Sequence, residues 1–394
     1  MGRINIVFSI ILFASSSCLY SQNPIVQSLL NDVRIDSLTN FVKQLSGEKA
    51  VLINGIVDTI KSRQYQQPGN EKAFQFMKAE FVRFGYQVDS FEFNTMGKNL
   101  FAIKTGYKYP NKRYMLGAHY DNWPLTTIAP GADDNASGTA AVLEAGRVFA
   151  NFDFPFTIVF ALWDEEEAGL LGSTAYVPFI GSDNDTLLGY INLDMLGWDG
   201  NNDSVADLNV RPVANSVQLA DKAQQCNSIY NIQLGLHIVN PGSGSTDHAP
   251  FWYNGYTAIG IDEEYDNDFN PYWHTEADSL AQFNPDFFLR CAKLAYATLS
   301  DCAFDTVNVL NIPDFVNNVN LNVYPNPANN HIFISYPGRV SKIEIANING
   351  TCISGTNVFN QFLSVDISHL ANGTYLLKLN TDIGVLYKKF IIDR

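Results

Sequence analysis

Two histidines in this chain stand where they could do chemistry, each beside carboxylates. His119 lies in Gly117–Ala118–His119–Tyr120–Asp121, where Asp121 can accept one imidazole N–H and leave the other nitrogen for a metal. Asp133–Asp134 sit in a Pro130–Gly138 segment whose residue types also suit a plain turn and helix cap. Two adjacent carboxylates repel, however, unless a cation neutralises them. Asp164–Glu165–Glu166–Glu167 follow directly on Phe156–Trp163. An ordinary acidic helix start rarely uses four acids. Asp194 closes another apolar run, which is costly for an unpaired carboxylate. The last island is Trp273–His274–Thr275–Glu276–Ala277–Asp278, with Ser245–Thr246–Asp247–His248 upstream as a second His/carboxylate pair. Imidazole and carboxylate together suit Zn²⁺ better than the all-oxygen preference of Ca²⁺. Two cations sharing one carboxylate would account for so many converging acids.

Elements must bring these islands together. Asn70–Phe84 places Phe74, Met77, Phe81 and Phe84 three or four apart, one buried helix face, within a stretch from about Asn23 to Phe91 that reads as mostly helical. Leu100–Lys104, Tyr114–Ala118, Tyr190–Leu193 and Tyr256–Ile261 read as strands, and the unbroken apolar run Phe156–Trp163 as a strand covered on both faces. Gly138–Ala150, Asn215–Gln225 and Asn284–Ala303 read as helices. Alternation of this kind predicts an α/β fold, a layered sheet flanked by helices. Its active site is expected at the C-terminal ends of the strands, where the acid run lies.

The chain has 394 residues and a net charge of −15, which argues against nucleic acid as a partner. No internal window is apolar enough for a membrane span. Arg3, the apolar run Ile4–Ala14 and the small residues Ser15–Ser17 form an export signal, with cleavage expected near Ser21. A lipoprotein acylated on Cys18 is the rival reading. Export would place the remaining cysteines, Cys226, Cys291, Cys302 and Cys352, in an oxidising compartment, without indicating any pairing. Past Asp305 the texture changes. An Asn-rich linker gives way to short β-type runs separated by turn signals, from Leu321 to Arg394, which suggests a small Ig-like β-sandwich. The expected division is a signal peptide over 1–21, a catalytic body over 22–306, a linker over 307–320 and a β-sandwich over 321–394.

GAHYD, APGADDNASG, WDEEEAGLLGS, NLDMLG and YWHTEAD, in this order, resemble the co-catalytic di-zinc exopeptidases. That family includes secreted bacterial leucyl aminopeptidases and glutamate carboxypeptidase, with glutaminyl cyclases as single-zinc relatives. The resemblance covers roughly Gln64 to Ala303. It implies the zinc exopeptidase fold, a mostly parallel mixed sheet sandwiched by helices. It also implies two Zn²⁺ ions per chain. One would be held by His119 and Asp194, the other by Glu167 and His274, with Asp134 bridging both. Glu166 would be the general base for attack of water on a peptide carbonyl, and Asp121 would orient His119. A cis peptide between Asp134 and Asn135 is implied as well. Aminopeptidase activity on peptide substrates is the expectation. A carboxypeptidase or dipeptidase, with Arg211 as one candidate for the substrate carboxylate, a glutaminyl cyclase and a non-enzymatic surface adhesin are the alternatives. VYPNPANN, DISHLANGTYLLKL and YKKFII resemble the C-terminal sorting domain of the type IX (Por) secretion system. That implies the secretion machinery as a partner and a secreted or cell-surface location.

Overall fold

The computed structural model describes residues 22–181, 185–304, 321–336, 340–347, 352–357, 362–381 and 384–394. The segments read above as an export signal and a linker lie outside them.

Two N-terminal helices, α1 (Pro24–Asn31) and α2 (Ile35–Leu45), bury Val26, Leu29, Leu38, Phe41, Val42 and Leu45. The next segment departs from the helical expectation. Its β-branched residues pair in a hairpin of β1 (Val51–Ile53) and β2 (Ile56–Asp58), closed by Asn54 and Gly55 at positive φ. Helix α3 (Pro68–Arg83) begins on Pro68 and buries Phe74, Met77 and Phe81, as their spacing requires. The main sheet then builds from β3 (Gln87–Glu92), β4 (Lys98–Lys104), β5 (Tyr109–His119), β6 (Phe156–Trp163), β7 (Thr186–Asp194), β8 (Val205–Asn209), β9 (Gly235–Val239) and β10 (Ala258–Glu263). Helices α4 (Gly138–Phe149), α5 (Leu171–Tyr176), α6 (Ser216–Ile229), α7 (Ala249–Tyr253) and α8 (Pro285–Phe304) are interspersed.

The strand order is β3-β4-β6-β5-β7-β10-β8-β9. The central four, β6-β5-β7-β10, run parallel, and antiparallel strands adjoin them on either side. Every residue of β6 is buried, as expected of a strand covered on both faces. One face packs against α3, α4, α6 and α8 in the principal core. The other is filled by Phe101, Met115, Trp163, Tyr190, Phe251 and Trp252. Within the helix layer Cys226 and Cys291 are buried free thiols.

The tail forms a three-stranded sheet from β11 (Asn322–Tyr324), β12 (His331–Ser335) and β15 (Phe362–Asp366), and a four-stranded sheet from β13 (Val340–Asn347), β14 (Cys352–Asn357), β16 (Gly373–Thr381) and β17 (Gly384–Ile392). All their pairings are antiparallel. Ile332 and Ile334 of one sheet share a core with Ile343, Ile345, Leu377, Leu379 and Phe390 of the other. No helix among the described residues is long and apolar enough to cross a membrane.

Candidate metal centre

Three of the five islands are the C-terminal ends of parallel neighbours. His119 ends β5, the acid run follows β6, and Asp194 ends β7. Parallel pairing therefore delivers them to one edge of the sheet. The turn Ala132–Ser137 supplies Asp134 on the way into α4, and the loop between β10 and α8 supplies His274.

His119, Asp134 and Asp194 form one cluster; Asp134, Glu167 and His274 form a second. His119 Nε2 lies 3.4 Å from Asp134 Oδ1 and 3.2 Å from Asp194 Oδ1. His274 Nε2 lies 3.1 Å from Asp134 Oδ2 and 3.0 Å from Glu167 Oε2. The two oxygens of Asp134 thus face two different imidazoles. Each cluster has one nitrogen and two carboxylates, a donor set that fits Zn²⁺. Glu167 Oε1 is buried with no hydrogen-bond partner, as suits an oxygen reserved for a cation.

Supporting contacts separate the acids by task. Asp121 is fully buried; Oδ1 accepts from Glu166 N–H at 3.1 Å and Oδ2 from Glu167 N–H at 3.2 Å. Its Oδ1 also lies 3.4 Å from His119 Nδ1. One carboxylate therefore ties the histidine on β5 to the acid turn after β6. Within that turn Asp164 accepts from Asn70 Nδ2 and Lys98 N–H, and Glu165 from Asn94 Nδ2. Glu167 remains for the second cluster. Glu166 stands beside it, and its carboxyl carries no shared cluster contact.

The Asp133–Asp134 pair also divides. Asp133 accepts from Gly197 N–H at 2.7 Å and Asn270 Nδ2 at 2.8 Å, which turns it away from both clusters. The repulsion argument applies only to Asp134. The peptide between Asp134 and Asn135 is cis.

Electrostatics follow from crowding. Desolvation raises the Glu166 carboxyl well above its usual range; His119 opposes this, and Asp247, Asp194 and Glu167 add to it. Glu167 is pushed up to about 7 by burial and by Asp134, against its bond to His274. Burial would lower His274, but its bonds to Asp134 and Glu167 raise it to about 9. Burial would likewise lower His119, and Glu166 and Asp194 outweigh it and raise the imidazole. Acids crowded in this way form a site whose charge a divalent ion would balance.

Three further polar groups have other partners. Asp278 does not hold His274: its oxygens accept from Asp133 N–H at 2.9 Å and Asp134 N–H at 3.0 Å, so it shapes the turn that aims Asp134. His274 is instead stacked on Trp273, ring centroids 3.7 Å apart. Asp247 and His248 are not a ligand pair. Ser173 Oγ donates to Asp247 Oδ1 at 2.5 Å, and His248 lies 2.9 Å from Thr246 Oγ1 and 3.0 Å from Ser243 O. The Arg211 guanidinium donates to Gly242 O and lies over the rings of Trp252 and Tyr253.

One residue was not read from the sequence at all. Arg63 is fully buried and donates to the carbonyls of Leu45, Tyr120, Pro130 and Gly131. It fixes the strand exit and the turn on either side of the clusters. A lone arginine in a non-repeating segment carries no sequence signal of that role. Glu165, Met195 and His274 also hold positive φ, a conformation uncommon outside glycine.

Comparison with known proteins bears on the family and the fold. The model of Peptidase family M28 matches residues 99–299, and that of a secretion system C-terminal sorting domain matches residues 322–393. A "Probable zinc metalloprotease" of Pyrenophora teres f. teres is 26% identical over 267 residues, 61% of this chain and 57% of that protein. "Leucine aminopeptidase 1" of Trichophyton rubrum is 28% identical over 234 residues, 56% of this chain and 62% of that one. The chain thus spans little more than half the length of such relatives. The crystal structure of the Legionella pneumophila LapA aminopeptidase superposes with a TM-score of 0.61 at 21% identity, covering 77% of this chain and 80% of that one. At that identity the likeness is one of fold.

Proposed function

The chain belongs to peptidase family M28, and from that premise we propose that it is a secreted zinc-dependent aminopeptidase, a hydrolase that removes N-terminal residues from peptides. The observation that carries the reading is Asp134, whose two oxygens each face the imidazole of a separate cluster. In this reading two Zn²⁺ ions would be held, one by His119, Asp134 and Asp194, the other by Asp134, Glu167 and His274. What bound zinc supplies is Lewis-acid charge, which acidifies water and polarises a carbonyl.

The chain's own residues do the rest. Glu166, half-buried beside the clusters, accepts the proton of the attacking water and returns it to the departing amine. Asp121 holds the backbone of Glu166 and Glu167 in register with His119. Asp278 and Arg63 hold the Asp134 turn. The surplus of acids favours a substrate carrying a free α-ammonium group. Arg211, engaged with Gly242 O, gives little support to recognition of a substrate carboxylate. The names of relatives such as "Leucine aminopeptidase 1" support the same direction.

The tail matches a secretion-sorting family. We read 1–21 as a removed signal, 22–306 as the catalytic body, 307–320 as a linker, and 321–394 as the part that engages the type IX machinery for release or display.

The test is a panel of aminoacyl amides, N-blocked peptides and peptides with N-terminal glutamine. The zinc-loaded protein should release N-terminal residues only where the amine is free. A chelator should abolish turnover and zinc should restore it. Cleavage confined to N-blocked substrates would replace this reading with a carboxypeptidase, and cyclisation of glutamine without hydrolysis with a glutaminyl cyclase.

A further inference from the structure

We propose that a cavity on the face of the sheet away from the main helix layer binds a free apolar α-amino acid of the leucine or phenylalanine class. The site is separate from the metal centre and does not depend on how that centre acts.

The cavity has a volume of about 240 Å³. Its floor lies on two central strands, where Arg113 and Met115 of β5 adjoin Leu187 of β7. Arg113 precedes His119 by six residues on β5, which separates their Cα atoms by about 20 Å. Phe91 of β3, Tyr176 at the end of α5 and Phe179 just beyond it line the walls. The Phe91 ring lies 5.8 Å from that of Tyr176 and 5.1 Å from that of Phe179. These rings brace one another, and Phe179 stays 54% exposed at the rim.

Two charges of opposite sign stand in this apolar lining. Arg113 Nη2 pairs with Asp185 Oδ2, while Arg113 Nε is buried with no hydrogen-bond partner. An unmet buried donor is costly and uncommon in a folded chain. A ligand carboxylate would accept from it in a charge-assisted bond.

Charge, polarity and size together name the ligand. A simple carboxylic acid suits Arg113 but is repelled by Asp185, and a simple amine meets the reverse. A carboxylate and an ammonium on one carbon answer both. The surrounding lining is aromatic and aliphatic, so a polar ligand side chain would lose its water without replacement. The volume corresponds to about eight waters. That holds one amino acid of medium size and falls short of the roughly 300–1,000 Å³ of sites for larger ligands. A peptide keeps its ammonium and carboxylate too far apart for the pair. Free apolar amino acids are also what the proposed reaction releases.

Calorimetric titration of the zinc-loaded, full-length protein tests the site. A saturating aminoacyl hydroxamate blocks the metal centre, so that only binding elsewhere is read. Leucine and phenylalanine should each bind once per chain. Isocaproate lacks the ammonium, isoamylamine the carboxylate and glycine the side chain, and each should bind about tenfold or more weakly. Arg113→Gln should weaken leucine about ten- to hundredfold. Phe179→Ala removes an exposed ring, which spares the fold, and should weaken leucine about two- to fivefold. Absence of binding with the centre blocked would overturn the proposal. So would isocaproate binding as tightly as leucine, or leucine affinity unchanged in both variants. If Arg113→Gln fails to fold, Phe179→Ala and the ligand series decide.

Discussion

Glu166 and Glu167 are neighbours in one turn, and Glu167 is the one whose carboxylate contacts His274 at 3.0 Å. The proposed chemistry therefore separates their variants. Glu166→Gln should keep both metals, measured by elemental analysis, and lose turnover by about 10²–10⁴-fold, because only the proton carrier is removed. Glu167→Gln should lose activity and also bind the second metal more weakly, measured by competition with a chelator. Full activity in both would place the base elsewhere. Asp121→Asn keeps the shape but one oxygen becomes an NH₂, which cannot accept from the N–H of both Glu166 and Glu167. The expected cost is about 10–100-fold in metal affinity or rate. Unchanged zinc titration and kcat in that variant would remove Asp121 from the site.

At the scale of elements, the site depends on how closely turns approach strand ends. Gly138 opens α4 just after the Asp134 turn. A Cβ there would stand 2.4 Å from Asn135 Oδ1 and 2.6 Å from Leu193 O, one β7 residue before Asp194. Both neighbours belong to the frame that sets Asp134 and Asp194, because Asn135 Nδ2 donates to Leu193 O. Gly138→Ala should destabilise the fold by about 1–3 kcal/mol, as overpacked sites do, and weaken zinc binding with it. Thermal unfolding and zinc titration of the variant check both. Loss of stability with undiminished metal affinity would show that turn and strand end are less closely linked than these contacts indicate.

At the scale of the molecule, catalytic body and tail keep separate cores, and every residue of the metal clusters lies in the body. Deleting Leu321–Arg394 should leave a protein that binds two zinc ions and turns over small substrates at the full-length rate. In the producing cell the same deletion should trap it in the periplasm, as fractionation would show. Lost turnover would mean that the tail supports the site, and normal release would mean that it serves some other binding role.

Much of this protein is legible before folding. Hydrophobic runs identify β6 and α3, because burial on two faces and on one helical stripe leave different periodicities. Five short motifs identify the candidate metal-binding residue types, because each sets imidazole or carboxylate groups in a short run, three of them at strand ends. Chain-distant contacts leave no such trace. The β1–β2 hairpin reads as helix-bordering sequence because it takes part in no long strand. Residue type alone does not distinguish Asp133 from Asp134, or Asp164 from Glu167. Their tasks divide only when Gly197, Asn270, Asn70 and His274 arrive from elsewhere. Arg63 is likewise silent until carbonyls from three segments converge on it. Local sequence thus determined which side chains can bind and transfer protons. The parallel packing of β5, β6 and β7, which brings their ends to one edge, decided which of them lie together.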